Sequence, residues 1–259
     1  MSDDTATRHH GLRGAKFLAA PTRAEKVNAQ IPSVDPSALP ATWSATKGRT
    51  TFPWWLNQTL GCCAETATAV AFTNQATTEL DTAGGAIYTA GFKEITNDDV
   101  SKWYHEIADV EGEPFTTGEG PGTSPYALRE YLLEKKLVVA CGVLGPVAAD
   151  VIAQAIYDTD GGAIVTWALD DDCFQEFDAH ECWGTMSVKP DAQDGHATDG
   201  LGWSTGFTPL VDTWTEIQCT TPQFVAACQD GLILVLTKPW VEQGGDLDTI
   251  VSKWGLTLA

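Results

Sequence analysis

The sequence predicts an α+β protein of two lobes, helix-rich in its first half and strand-rich in its second, with a cleft between them. Three observations predict it. Helix-compatible segments cluster between residues 63 and 136. Strand-length apolar runs separated by turn residues dominate after residue 137. Apolar residues make up 43% of 259, enough to bury a sizeable core in one large domain or two lobes sharing an interface.

Residues 1 to about 50 are rich in Pro, Ala, Ser and Thr with weak periodicity. Residues 1–39 are therefore expected to form an extended arm. A helical lobe follows over 40–147, a β lobe over 148–236 and a C-terminal extension over 237–259. From Cys63 to about Leu80 the chain is helix-compatible, with Ala64, Ala67, Val70 and Ala71 offering a close-packing face. Thr66, Thr68 and Thr73 lower the propensity, so packing must stabilise this helix. A second helix is expected over 96–110, capped by Thr96 or Asn97 with acids in its first turn. Ser124 and Pro125 open a third, PYALREYLLEKK. LVVACGVLG then reads as a strand, AADVIAQAIY as a short helix and GGAIVTWAL as a strand after a glycine break. HATDGLGW, TPLVDTW and DGLILVLTKPW are further strand-length runs. ALDDDCFQEFDAHEC lacks the glycine and final Glu of a calcium loop, and reads as a solvated loop. YDTDGG reads as a turn, and the aromatics of TTFPWWL and KPWV as packing residues.

Fifteen basic against thirty-five acidic residues leave a net charge of -20. Such a surface repels phosphate backbones and argues against a nucleic-acid partner. No apolar run approaches the roughly 18 residues of a bilayer span, so no membrane role is expected. The first residues are polar and lack an apolar core, so export by a signal peptide is not expected. The seven cysteines are Cys62, Cys63, Cys141, Cys173, Cys182, Cys219 and Cys228, with no CxxC pair among them. Zinc-ribbon and thioredoxin readings thus lose their signature. Without an export signal, most of these thiols are expected to be reduced and buried.

The segment NQTLGCCAETATA admits a staple, half of a metal site or a nucleophile. A disulfide between adjacent cysteines is strained, and no second pair stands at metal spacing. Cys63 lies at a predicted helix start, where backbone N–H groups and the helix dipole favour thiolate. Gly61 permits a tight turn before it, and Asn57 and Gln58 offer amide donors for an oxyanion. A thiol nucleophile also needs a base. Of five histidines, His9 and His10 lie in the arm, His105 on a predicted helix and His180 in the acidic stretch. His196 stands at the entry to a strand.

These residues resemble, in order and spacing, the papain-like cysteine peptidase superfamily. LPATWSATKG is similar to the segment with which mature members begin. NQTLGCC resembles the loop of amide, glycine and nucleophilic cysteine, and GHATDGLGW the strand of the catalytic histidine. VDTW resembles the Asn-Ser-Trp element, with Asp212 in the orienting place and Trp214 as the shield. The likeness is closer still to a divergent subgroup encoded by tailed phages, whose last-strand segment TTPQFVAACQDGLILVL resembles. It covers roughly residues 40 to 236.

The resemblance implies a papain-like two-lobed fold, with an antiparallel sheet or barrel in the second lobe and the site in the cleft. It implies a cysteine hydrolase, peptidase or amidase, acting on a polypeptide or amide. Cys63, His196 and Asp212 would form the triad, with Asn57 or Gln58 at the oxyanion and Trp214 shielding. Cys62 would be a bystander. No metal or organic cofactor is implied. The alternative is a structural or accessory virion protein on the same scaffold, its arm reaching other virion proteins. Either would work in the cytoplasm of the infected host cell, or in the virion.

Overall fold

Mixed helix and antiparallel sheet make up the fold, as the succession of helical and strand-length runs predicts. The computed structural model describes residues 30–49, 61–111, 122–186, 188–190, 195–214 and 216–259. In chain order the elements are β1 (Trp43–Ser44), α1 (Cys63–Ala76), β2 (Thr77–Leu80), β3 (Ala86–Tyr88), α2 (Asn97–Glu111) and α3 (Pro125–Glu134). Then come β4 (Ala140–Leu144), α4 (Ala149–Asp158), β5 (Ala163–Ala168), α5 (Asp171–Asp178), β6 (Gly195–Trp203), β7 (Pro209–Thr213) and β8 (Glu216–Cys219). The chain closes with α6 (Pro222–Cys228), β9 (Gln229–Leu236), α7 (Lys238–Glu242), α8 (Leu247–Trp254) and β10 (Thr257–Leu258).

Among the described residues one sheet runs in the order β10-β4-β9-β5-β6-β7-β8, with β1 pairing on β6, and β2 and β3 form a separate ribbon. Segments from every predicted part of the chain meet in this sheet. β1 and β4 lie within the span assigned to the helical lobe, β4 in the run read as a strand, and β10 lies in the C-terminal extension. The last residues of the expected arm are tied down too. Gln30 donates its N–H to the Trp254 carbonyl at 2.8 Å, and Leu39 joins the core.

The period-2 alternation of strand side chains splits the core into two layers. Ile164, Ala197, Leu201, Ile233 and Val235 face one way, packing with α1, α2 and α3. Val165, Trp167, Leu232 and Leu234 face the other, packing with α4, α6 and a group of tryptophans.

All fourteen residues of α1 are buried, so it is a central helix with no solvent stripe. Its polar side chains bond inward. Thr68 and Thr73 donate to the carbonyls of Ala64 and Ala69 at 2.8 Å each. The Gln75 amide donates to the Thr159 and Val235 carbonyls at 2.7 and 2.9 Å and accepts from the Thr237 N–H. Gly162 makes this possible, because a Cβ there would stand 2.2 Å from the Gln75 amide nitrogen.

The structure corrects two expectations. The first helix ends at Ala76, not near Leu80, because Thr77 turns extended and begins a hairpin closed by Asp81 accepting from Ala83 and Gly85. The acidic stretch is not a solvated loop. It forms α5, capped by Asp170, with Cys173, Phe174, Glu176 and Phe177 buried on one face. Cys62, Cys63, Cys141, Cys173 and Cys228 are buried, while Cys182 and Cys219 form a disulfide.

Candidate active site

Cys63 is the first residue of α1 and Cys62 its N-cap, so the thiol sits where the helix presents its unbonded N–H groups. The sulfur also lies against the backbone N–H of Ala197 in β6, the residue after His196. Burial nevertheless dominates. It pushes the Cys63 thiol up to about 12, and the N–H of Ala197 offsets only part of that. Cys62 is driven up further, and its sulfur lies 3.8 Å from the Thr66 hydroxyl.

His196 stands on β6 beside Trp167 of β5. Its Nε2 is 2.8 Å from the Thr213 hydroxyl. Trp214 stacks on the ring at 4.9 Å with an interplanar angle of 23°, and Trp183 meets it edge-on at 6.3 Å. β7 ends at Thr213, and Trp214 takes a left-handed φ of 47°, a conformation uncommon for a bulky residue. Trp183 is pinned in turn. Its indole N–H donates to the Cys173 carbonyl at 3.0 Å, and its backbone joins Cys219 beside the disulfide. Burial in this aromatic cage holds the His196 pKa down to about 3, so the ring is neutral. Its Nδ1 is buried without a hydrogen-bond partner.

Asp212 does not meet His196. It pairs in register with Asp199 across β6 and β7, and cross-strand partners share a face. His196 lies an odd number of residues from Asp199, so it points to the opposite face. Thr213, next to Asp212, is on the imidazole's side. The orienting contact expected of Asp212 is therefore made by the Thr213 hydroxyl.

Asp212 belongs instead to a buried polar cluster under α1. The Asn74 side-chain amide donates to Asp199 at 2.6 Å, and the Arg49 guanidinium donates to the Oδ1 of the same side chain. Burial pushes Asp212 up to about 8 against the pull of Arg49. Asp199 is raised well above the carboxylate range by burial and by Asp212, offset in part by Arg49 and Asn74. One guanidinium faces two carboxyls, so the cluster keeps a proton at neutral pH. Beside the cysteines, Glu65 is fully buried and accepts from the Thr123 hydroxyl at 2.5 Å. Burial raises it to about 7.

The remaining expectations are placed as follows. Trp214 covers the imidazole. Asn57 and Gln58, the expected oxyanion donors, lie outside the described residues, as do His9 and His10. His105 is on α2, and His180 is exposed with Nδ1 3.5 Å from Glu216. Among the described residues no three His, Cys, Asp or Glu side chains gather at metal-binding distance. No helix there is long and apolar enough to cross a membrane. The sequence reading missed Thr213, Arg49, Asn74 and Asp199. The signal that could have found Thr213 was strand parity in the HATDGLGW and TPLVDTW pair. No family model matches the chain, and no curated protein or solved structure matches it.

Proposed function

We propose that the protein is a papain-like cysteine hydrolase, a peptidase or amidase, with α1–α3 as one wall of the site and the β6–β7 region as the other. The observation that carries this reading is the His196 ring. A buried nitrogen without a partner costs roughly 1–3 kcal/mol, and such orphans call for an explanation. Here the orphan Nδ1 belongs to a ring held by Thr213 and Trp214. That ring stands one residue from the N–H that reaches the sulfur of a helix-start cysteine.

In this reading the buried, neutral thiol and imidazole are the resting form, and the chemistry requires the imidazole to turn from the aromatic face of β6 toward the sulfur. His196 takes the proton from Cys63, and the thiolate attacks an acyl carbonyl. The oxyanion rests on the Cys63 N–H and on Asn57 or Gln58. His196 protonates the leaving amine, and water then releases the acyl group. Thr213 sets the tautomer and Trp214 excludes water. The test is hydrolysis of casein and of fluorogenic peptide amides by the full chain. Cys63→Ala should lower the rate at least about 10³-fold, and Cys62→Ala should not. Hydrolysis that survives Cys63→Ala overturns the assignment.

A second reading has its own support. Cys63 is 3% and His196 2% exposed, both are neutral, and no hydrogen bond joins them. That arrangement suits a scaffold used without chemistry, which for the resembled subgroup would be a structural or accessory virion protein. Absence of hydrolysis, together with stable incorporation into particles, would favour it.

A further inference from the structure

Away from the candidate site, a groove of about 820 Å³ opens between α2 and α3. Its apolar surface includes Ile107, Val110 and Ala127, and Val110 is 83% exposed. Five acidic side chains line it against two basic ones. The two basic groups are already engaged. Lys135 bonds Glu106 at 3.1 Å, and Arg129 pairs with Glu130. Asp109 and Glu134 are left without a basic partner among the described residues.

The chain supplies a segment of the complementary kind. The protein carries a net charge of -20, yet residues 8–26 hold Arg8, Arg13, Lys16, Arg23 and Lys26 against a single acid, Glu25. Leu12, Phe17 and Leu18 lie among them. Where this segment joins the body is also known. Gln30 bonds Trp254, and three residues on, Thr257 accepts from the Arg129 guanidinium at 2.6 Å. Three residues span roughly 10 Å at most, so the root of the segment lies close to the groove's Arg129 end. From Gln30 back to Leu18 the chain can reach about 40 Å.

We propose that residues 12–18 of this same chain dock in the α2–α3 groove. Phe17 and Leu18 cover Val110 and Ala127, and Arg13 and Lys16 meet Asp109 and Glu134. The tether sets an effective concentration on the order of millimolar, so even a weak intrinsic affinity keeps the groove filled. This inference does not depend on the hydrolase reading.

The test is carbodiimide cross-linking of the full chain, run on an equal mixture of unlabelled and ¹⁵N-labelled protein and mapped by mass spectrometry. The expected product joins Lys16 to Asp109 or Glu134 within one isotope. The double variant Asp109→Lys, Glu134→Lys should lose it. Tryptic cleavage after Arg13 and Lys16 should then speed up about five-fold or more, because cleavage follows the undocked population. Links joining the two isotopes would place the segment on a second copy and overturn the proposal. So would links of Lys16 confined to other surfaces, or tryptic rates unchanged by the double variant.

Discussion

The two faces of β6 are built on opposite principles. Toward α1 the strand offers Ala197 and Asp199, and the neighbours are Asn74, Arg49 and Asp212, a charged cluster linked through one guanidinium. Toward the other layer it offers His196 and Thr198, and the neighbours are Trp167, Trp183, Trp214 and Phe224. One face stores charge and holds two carboxyls raised by burial. The other strips the charge from an imidazole. A strand one residue thick separates the Asp expected to orient the histidine from the histidine itself, and parity hands that task to Thr213.

The largest effect is expected from breaking the aromatic face. Trp183→Ala removes a fully buried indole and should cost about 3–5 kcal/mol in urea unfolding. It should also bring the His196 pKa back toward 6.5, read by NMR. Breaking the charged face should be as costly only at high pH. Arg49→Met leaves two buried carboxyls without their cation, about 3–5 kcal/mol at pH 9. The loss should shrink at pH 5, where Asp212 is protonated.

Asp212→Asn comes next. Between about pH 4, where an unfolded Asp ionises, and the buried pKa of about 8, the folded chain holds the extra proton. Asp212 therefore contributes stability that is lost as pH rises through 8. His196 acts in the other direction. Between about 3 and roughly 6.5 the unfolded chain holds the extra proton, so stability rises with pH there. The His196 slope opposes that of Asp212 below pH 6.5, and the raised carboxyls of Asp199 and Glu65 add to the Asp212 slope. Removing it should flatten the fall between pH 6.5 and 8, worth about 2 kcal/mol.

The smallest change is the sharpest. Thr213→Val should cost about 1 kcal/mol and shift the His196 Nε2 resonance, whereas Asp212→Asn should leave that resonance in place. A shift in the Asp212 variant would mean that the faces are not separate.

Much of this was legible in the sequence. The Cys63 helix start, the β6 and β7 runs and the α+β class followed from helix-compatible small residues, strand-length apolar runs and turn residues. The position of Trp214 over His196 followed from resemblance. What was hidden depends on register. Whether Asp212 or Thr213 faces His196 is set by pairing Asp199 with Asp212, which strand propensity does not fix. The Cys182–Cys219 pair is 37 residues apart and has no local signature. The acidic stretch looked solvated because its charges outnumber Cys173, Phe174 and Phe177, although those three lie on one side of a helix. The arm's residues 30–39 carry little periodicity, yet Leu39 and the Gln30 amide anchor them.

Hydrolysis by this chain requires Cys63 and His196 to work as a pair across β6. The direct measurement is iodoacetamide modification of the folded full chain over pH 5–9, with the modified cysteine mapped. The prediction is that Cys63 reacts ahead of Cys62, Cys141, Cys173 and Cys228. Its rate should fall at least about ten-fold in His196→Gln and much less in Asp212→Asn. Modification of Cys62 first, or of all five thiols only upon unfolding, would contradict it.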